Sequence, residues 1–182
     1  MHTDIERVLF SAETIQARVT ALGREITERI RDRKEVVILG LLKGSVLFLA
    51  DLVRSIDLPV KLEFAWVSSY GHGTESSGNV HLKVFPDEDL VGRTVIIVDD
   101  ILDTGRTLHS VKSRLLTDHG VADVQTCVLL DKAARRVAPV KADFVGFEVE
   151  DVFVVGYGLD YQDHYRNLPY IGVLHERMYK EE

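Results

Sequence analysis

Apolar positions in this chain fall into two patterns. Val36-Val37-Ile38-Leu39 and Val95-Ile96-Ile97-Val98 are short, continuous and rich in β-branched residues, and Val124 to Leu130 is largely so. Strands buried on both faces of a parallel sheet read this way. Elsewhere the apolar residues are spaced. Ile15, Val19, Leu22, Ile26 and Ile30 recur at steps of four and three, which predicts a long amphipathic helix, with Ser11 as its cap and Glu13 in its first turn. Leu108, Val111, Leu115 and Leu116 predict a second helix, ended by His119-Gly120. Val46 to Ile56 predicts a third, after a turn containing Gly40 and Lys43-Gly44-Ser45. Val60 to Val67 and the alternating Val80 to Val84 read as a hairpin around the polar, glycine-bearing stretch 68–78. Phe144 to Phe147 and Phe153 to Val155 add shorter strands. Strand and helix alternate, so the expected architecture is α/β: a mainly parallel twisted sheet flanked by helices. In such sheets ligands bind beyond the C-terminal strand ends.

Composition narrows the class. The 182 residues are 46% hydrophobic and 28% charged, ordinary for one globular domain and unlike a disordered or collagenous chain. Twenty-two Lys and Arg against 29 Asp and Glu give a net charge of −7, which argues against nucleic acid as the main partner. A basic pocket for a small anion is still compatible with that balance. A single cysteine, Cys127, forms no intrachain disulfide. No apolar run reaches membrane-spanning length, and the N-terminus lacks the basic-then-apolar form of a signal peptide. The expectation is a cytoplasmic protein with no membrane partner. The basic run Arg29 to Lys34 reads as charge complementing a helix C-terminus.

The densest chemistry follows the strand at Val95 to Val98. Asp99 and Asp100 come first, Asp103 lies in the turn, and Thr104-Gly105-Arg106-Thr107 opens a helix. Backbone N–H groups at a helix start are unsatisfied and sit at the positive end of the dipole, ready for a phosphate. Gly105 allows close approach, and the threonines add hydroxyl donors. Acceptors for sugar hydroxyls or a cation thus stand beside donors for a phosphate, as a phosphorylated sugar requires. A plainer alternative makes Asp99 and Asp100 turn residues and Asp103 a helix N-cap. Other phosphate motifs fail: no G-x-x-x-x-G-K-[ST] occurs, and Gly71-His72-Gly73 lacks a third glycine and a following helix.

Val98-Asp99-Asp100-Ile101-Leu102-Asp103-Thr104-Gly105-Arg106-Thr107 resembles the signature of type I phosphoribosyltransferases, which bind 5-phosphoribosyl 1-pyrophosphate. Leu42-Lys43-Gly44-Ser45 resembles the pyrophosphate loop of the branch that acts on 6-oxopurines. Ser69-Tyr70 resembles its lid, and Leu129 to Lys132 its base-recognition segment. Asp143 to Phe147 with Phe153 to Tyr161 resembles its hood. The likeness runs from about Ile5 to about Leu174. It implies a single domain, 1–182, with a small hood built from the N-terminal segment and about 143–182.

It also implies an activity: Mg²⁺-dependent transfer of the phosphoribosyl group to hypoxanthine or guanine in purine salvage, giving IMP or GMP and pyrophosphate. Asp99 and Asp100 would hold the ribose hydroxyls and help anchor Mg²⁺, and Asp103 would take a proton from the imidazole ring of the base. Thr104, Gly105, Arg106 and Thr107 would cradle the 5′-phosphate. Leu42, Lys43 and Gly44, with a cis peptide between the first two, would bind pyrophosphate together with Arg166. Lys132 would donate to the six-oxo group, Phe153 would stack on the purine, and Val154 would offer backbone hydrogen bonds. Asp160 would ligate a second Mg²⁺ and border the base, with Ser69 and Tyr70 closing over the centre. The resemblance implies a homo-oligomer, dimer or tetramer. Asp99 is often Glu in the family, which leaves the ribose contact open, and Arg106 is often Lys, which matters little if the contact there is by backbone N–H. Two alternatives stand: a xanthine-preferring enzyme, and a regulatory protein that keeps the fold as a sensor. Nothing in the motifs orders the three purines.

Overall fold

Two neighbouring buried runs set the architecture. Strands β2 (Val36–Leu42) and β5 (Thr94–Leu102) pair in parallel, with Ile38 opposite Ile96 and Leu39 opposite Ile97. Successive side chains point to opposite faces, so this register sends Ile38 and Ile96 one way and Leu39 and Ile97 the other. The computed structural model describes residues 3–69, 80–84 and 89–179, without the side chains of 68, 69 and 80–84. One face of the sheet packs Ile38, Ile96 and Val98 against helix α1 (Ala12–Ile30) and helix α2 (Val46–Arg54). Ile15, Val19, Leu22, Ile26 and Ile30 form the buried stripe of α1, and the Ser11 hydroxyl accepts the Thr14 N–H at 3.2 Å. Each such side chain contributes about 1.5–3 kcal/mol by leaving water. The opposite face packs Leu39, Val95 and Ile97 against Leu108, Val111 and Leu115 of helix α3 (Arg106–Thr117).

The large sheet has six strands. Its order is β4 (Val80–Val84), β3 (Lys61–Ser69), β2, β5, β6 (Asp123–Asp131) and β7 (Phe144–Glu148). Five are parallel, and β4 adds an antiparallel edge by pairing with β3. Cys127 is a buried core residue of β6. From β2 the chain passes through α2 toward one edge, and from β5 through α3 toward the other. The order therefore reverses between β2 and β5, and open α/β sheets bind ligands at that switch point. Pairing of β2 with β5 stops at Gly40 opposite Val98, while β5 continues beside β6 from Asp99 to Leu102. Asp99 and Asp100 lie within the strand, where the apolar pattern had suggested its end.

A second, three-stranded antiparallel sheet joins the two ends of the chain. Its order is β1 (Ile5–Phe10), β9 (Ile171–Leu174) and β8 (Val154–Val155). The stretch expected to open the hood at about 143 instead supplies β7 to the large sheet, because Phe144 to Glu148 pairs with Cys127 to Asp131. Among the described residues, no helix is long and apolar enough to cross a membrane.

Candidate active site

The end of β5 and the turn after it carry three carboxylates in different surroundings. Asp99 accepts the Asp100 N–H at 3.0 Å, and Asp100 accepts the Ile101 N–H at 2.8 Å. Burial raises the Asp99 carboxyl well above the usual range, and the charge of Asp100 adds to the shift. Asp100 is also raised by burial, against the opposing pull of its hydrogen bonds and of Arg166. Two enclosed acids side by side resist joint ionisation, which a cation or donating hydroxyls would relieve. Asp103 differs. Its Oδ1 is buried without a hydrogen-bond partner, and Oδ2 lies 3.5 Å from Arg135. It is not the cap of α3: that position belongs to Gly105, in the left-handed region at φ 81°, and the Arg106 N–H makes only a long 3.5 Å contact to the Thr104 hydroxyl. A Cβ at Gly105 would meet Val140 at 2.6 Å, so glycine is required by both conformation and space. The first turn of α3 contains no acidic residue, which leaves its positive end available for an anion.

The neighbouring turn after β2 has less conspicuous chemistry. The Leu42–Lys43 peptide is cis. Ser45 is fully buried, and its hydroxyl donates back to the Leu41 carbonyl. Gly44 presses against the other corner: a Cβ there would lie 1.6 Å from Asp100 Oδ2. A Cβ at Gly158 would in turn sit 2.1 Å from the Gly44 carbonyl oxygen. Three segments far apart in sequence thus converge with no room for a methyl group.

Charged groups tie the third segment down. Arg166 donates to the Gly158 carbonyl at 2.7 Å and pairs with Asp160 at 2.8 Å and Asp163 at 2.9 Å. Lys43 reaches Asp163 at 3.2 Å, and these two cations hold the Asp163 carboxyl below its usual range, Arg166 foremost. Asp160 is engaged with Arg166 and with the Asp163 N–H at 2.8 Å. Tyr157 anchors the same turn to α2 by donating to Asp51 at 2.6 Å.

Lys132 is 5% exposed, unlike an ordinary surface lysine. Its N–H donates to the Leu102 carbonyl at 3.0 Å, and its ammonium donates to the Val152 carbonyl at 2.7 Å. Phe153 stacks on Tyr179 with centroids 5.0 Å apart and meets the edge of Tyr161. Val154 pairs with Val173 in the small sheet. Ser69 ends β3, and Tyr70 lies outside the described residues. Sequence reasoning missed Asp163, which bridges Lys43 and Arg166, and the pair Arg135-Arg136 beside the Asp103 turn. Only adjacency to the lysine segment could have marked the arginines.

The switch point of a parallel sheet thus brings paired acids at the end of β5 beside a helix start free of acidic residues, an arrangement suited to a phosphorylated sugar. A family model described as phosphoribosyl transferase domain matches residues 11–162. The hypoxanthine-guanine phosphoribosyltransferase of Bacillus subtilis (strain 168) is 48% identical over 180 residues, covering 99% of each chain. That of Mycobacterium avium is 45% identical over 183 residues, 98% of this chain and 90% of its own. A crystal structure of a hypoxanthine phosphoribosyltransferase from Staphylococcus aureus superposes with a TM-score of 0.92 at 42% identity, covering 100% of this chain and 97% of that one. The chain belongs to the phosphoribosyltransferase family and is a pentosyltransferase of the type that serves purine salvage.

Proposed function

We propose that the protein moves the 5-phosphoribosyl group from 5-phosphoribosyl 1-pyrophosphate to hypoxanthine or guanine, releasing pyrophosphate and forming IMP or GMP. The observation that carries this reading is the Asp103 carboxylate. One of its oxygens is buried and unpartnered, three residues before a helix start that no acidic side chain occupies. A carboxylate whose side chain is 30% exposed and whose second oxygen is unsatisfied can turn to a proton on the purine imidazole ring while the phosphate sits at residues 104–107. Asp99 and Asp100 hold the ribose hydroxyls. Lys43, Gly44 and Arg166 receive the pyrophosphate, for which the planar fork of arginine is suited.

Lys132 donates to the six-oxo group. Adenine carries a donor at that place and is disfavoured. Phe153 supplies the stacking face, Val154 offers backbone groups beside it, and Ser69 and Tyr70 exclude water from the reacting centre.

The residues fit Mg²⁺. Asp99 and Asp100 offer hard oxygen donors whose mutual repulsion a cation would relieve, with Asp160 as a further carboxylate. Among the described residues no group of three or more acidic, His or Cys side chains forms a cage. Mg²⁺ commonly uses one or two carboxylates plus substrate phosphates, so none is needed. When bound, the ion would neutralise the charge of the departing pyrophosphate.

A homo-oligomer is supported by Leu62, Phe64 and Trp66, exposed on one face of β3, and by Val46 and Leu47, exposed at the start of α2. The buried lone cysteine suits a reducing cytoplasm.

The test is purified protein with phosphoribosyl pyrophosphate, Mg²⁺ and hypoxanthine, guanine, xanthine or adenine in turn, followed by absorbance. Nucleotide should form with hypoxanthine and guanine. Formation with xanthine alone, or with none, would overturn the reading.

A further inference from the structure

We infer that Arg136 is a positioning residue that sets the Asp103 turn, the phosphate-binding glycine and the strand end before Lys132 in a common register. The inference rests on the reading of that corner given above. Arg136 is mostly buried, with 17% of its side chain exposed. Its Nε donates to the Asp103 carbonyl at 2.9 Å. One terminal nitrogen donates to the Leu102 carbonyl at 2.9 Å and pairs with the Asp131 carboxylate. The other donates to the Val140 carbonyl at 3.0 Å.

These contacts are not generic. Asp103 carries the proposed proton acceptor, and Leu102 also accepts the N–H of Lys132 at 3.0 Å. Asp131 is the residue before Lys132. The Arg136 Cδ lies 2.9 Å from where a Cβ on Gly105 would be, so its stem forms part of the wall that confines the phosphate turn. One arginine therefore holds the Asp103 backbone and the carboxylate of the residue before Lys132 through its guanidinium, and borders Gly105 through its stem. Its planar fork meets carbonyls in several directions at once, which an ammonium cannot reproduce.

Arg18 provides an internal control. It makes the same kind of clamp, donating to the Gly146 carbonyl at 3.0 Å and the Val145 carbonyl at 2.7 Å while pairing with Glu25 at 2.6 Å. It fastens α1 to β7 and touches no proposed site residue. If arginine clamps matter only for stability, the two should behave alike.

The experiment compares Arg136→Ala, Arg136→Lys and Arg18→Ala by kcat, by KM for each substrate, by Tm, and by recovery on adding guanidinium well below its denaturing range. A displacement of about 1 Å at the reacting groups costs on the order of 100-fold in rate, so Arg136→Ala should lose about 10- to 100-fold in kcat. Guanidinium should restore much of that loss, and sodium at equal ionic strength should not. Arg136→Lys should keep a Tm near wild type yet remain slow, and it decides the matter if the alanine variant fails to fold. Arg18→Ala should lose Tm and keep kcat. Wild-type kcat in folded Arg136→Lys, or losses that track Tm alone in all three variants, would overturn the inference while leaving the proposed function intact. An inactive wild type would overturn both.

Discussion

The turns after β2 and β5 leave adjacent parallel strands at the same sheet edge, and each leads into a helix whose N-cap residue makes no side-chain cap. Their chemistry is otherwise opposite. The β5 corner, from the strand end into the helix start, concentrates three carboxylates and two threonines within nine residues, Asp99 to Thr107. The β2 turn offers a cis peptide, a glycine and a buried serine whose hydroxyl is spent on its own backbone. One corner presents side chains and the other backbone shape. Gly44 couples them, because its missing side chain is the space that Asp100 occupies.

The largest effect should come from the side-chain corner. Asp103→Asn keeps the shape but removes the proposed proton acceptor, so turnover should fall about 10²–10⁴-fold with little change in donor affinity. Near-wild-type kcat in the purified variant would remove Asp103 from that role. The shape corner should break next. Gly44→Ala forces its methyl into Asp100, and kcat/KM for the phosphoribosyl donor should drop about 100-fold. A donor KM and kcat both unchanged would show that the corners are not coupled.

Lys132→Ala sharpens the comparison away from both turns. Loss of one charged hydrogen bond is worth about 1.5–3 kcal/mol, or about 10- to 100-fold in kcat/KM for guanine and hypoxanthine. Unchanged kinetics with both bases would place the lysine outside the site.

The smallest effect concerns stability. Burial raises the Asp99 carboxyl, so the folded state favours its protonated form; that contribution is present at low pH and is lost as pH rises through the raised value. Ionising the buried group opposes folding. Asp99→Asn should therefore raise the Tm of the ligand-free protein by about 2–4 °C, the shift expected for about 1 kcal/mol in a chain of this size. A lowered Tm would contradict the assigned strain.

The same contrast explains what the sequence disclosed. The β5 corner was legible because its chemistry is contiguous, and the α1 stripe because its period is undisturbed from Ile15 to Ile30. The extent of β5 was not. Asp99 and Asp100 interrupt the apolar run, and only pairing with β6 keeps them in the strand. Nothing in the periodicity marks Ile5–Phe10 as a strand, since its partner, Ile171–Leu174, lies at the other end of the chain. The β2 corner was readable only by resemblance, because cis geometry and close backbone approach leave little trace in residue type. Arg136 belongs to no motif, and its place in the site depends on carbonyls that folding brings to it.

The most direct measurement is a crystal structure of the protein with bound GMP. The account places the nucleotide phosphate on the backbone N–H groups of residues 104–107 and a purine imidazole nitrogen within hydrogen-bonding distance of the Asp103 carboxylate. A nucleotide bound elsewhere, with that turn empty, would contradict it.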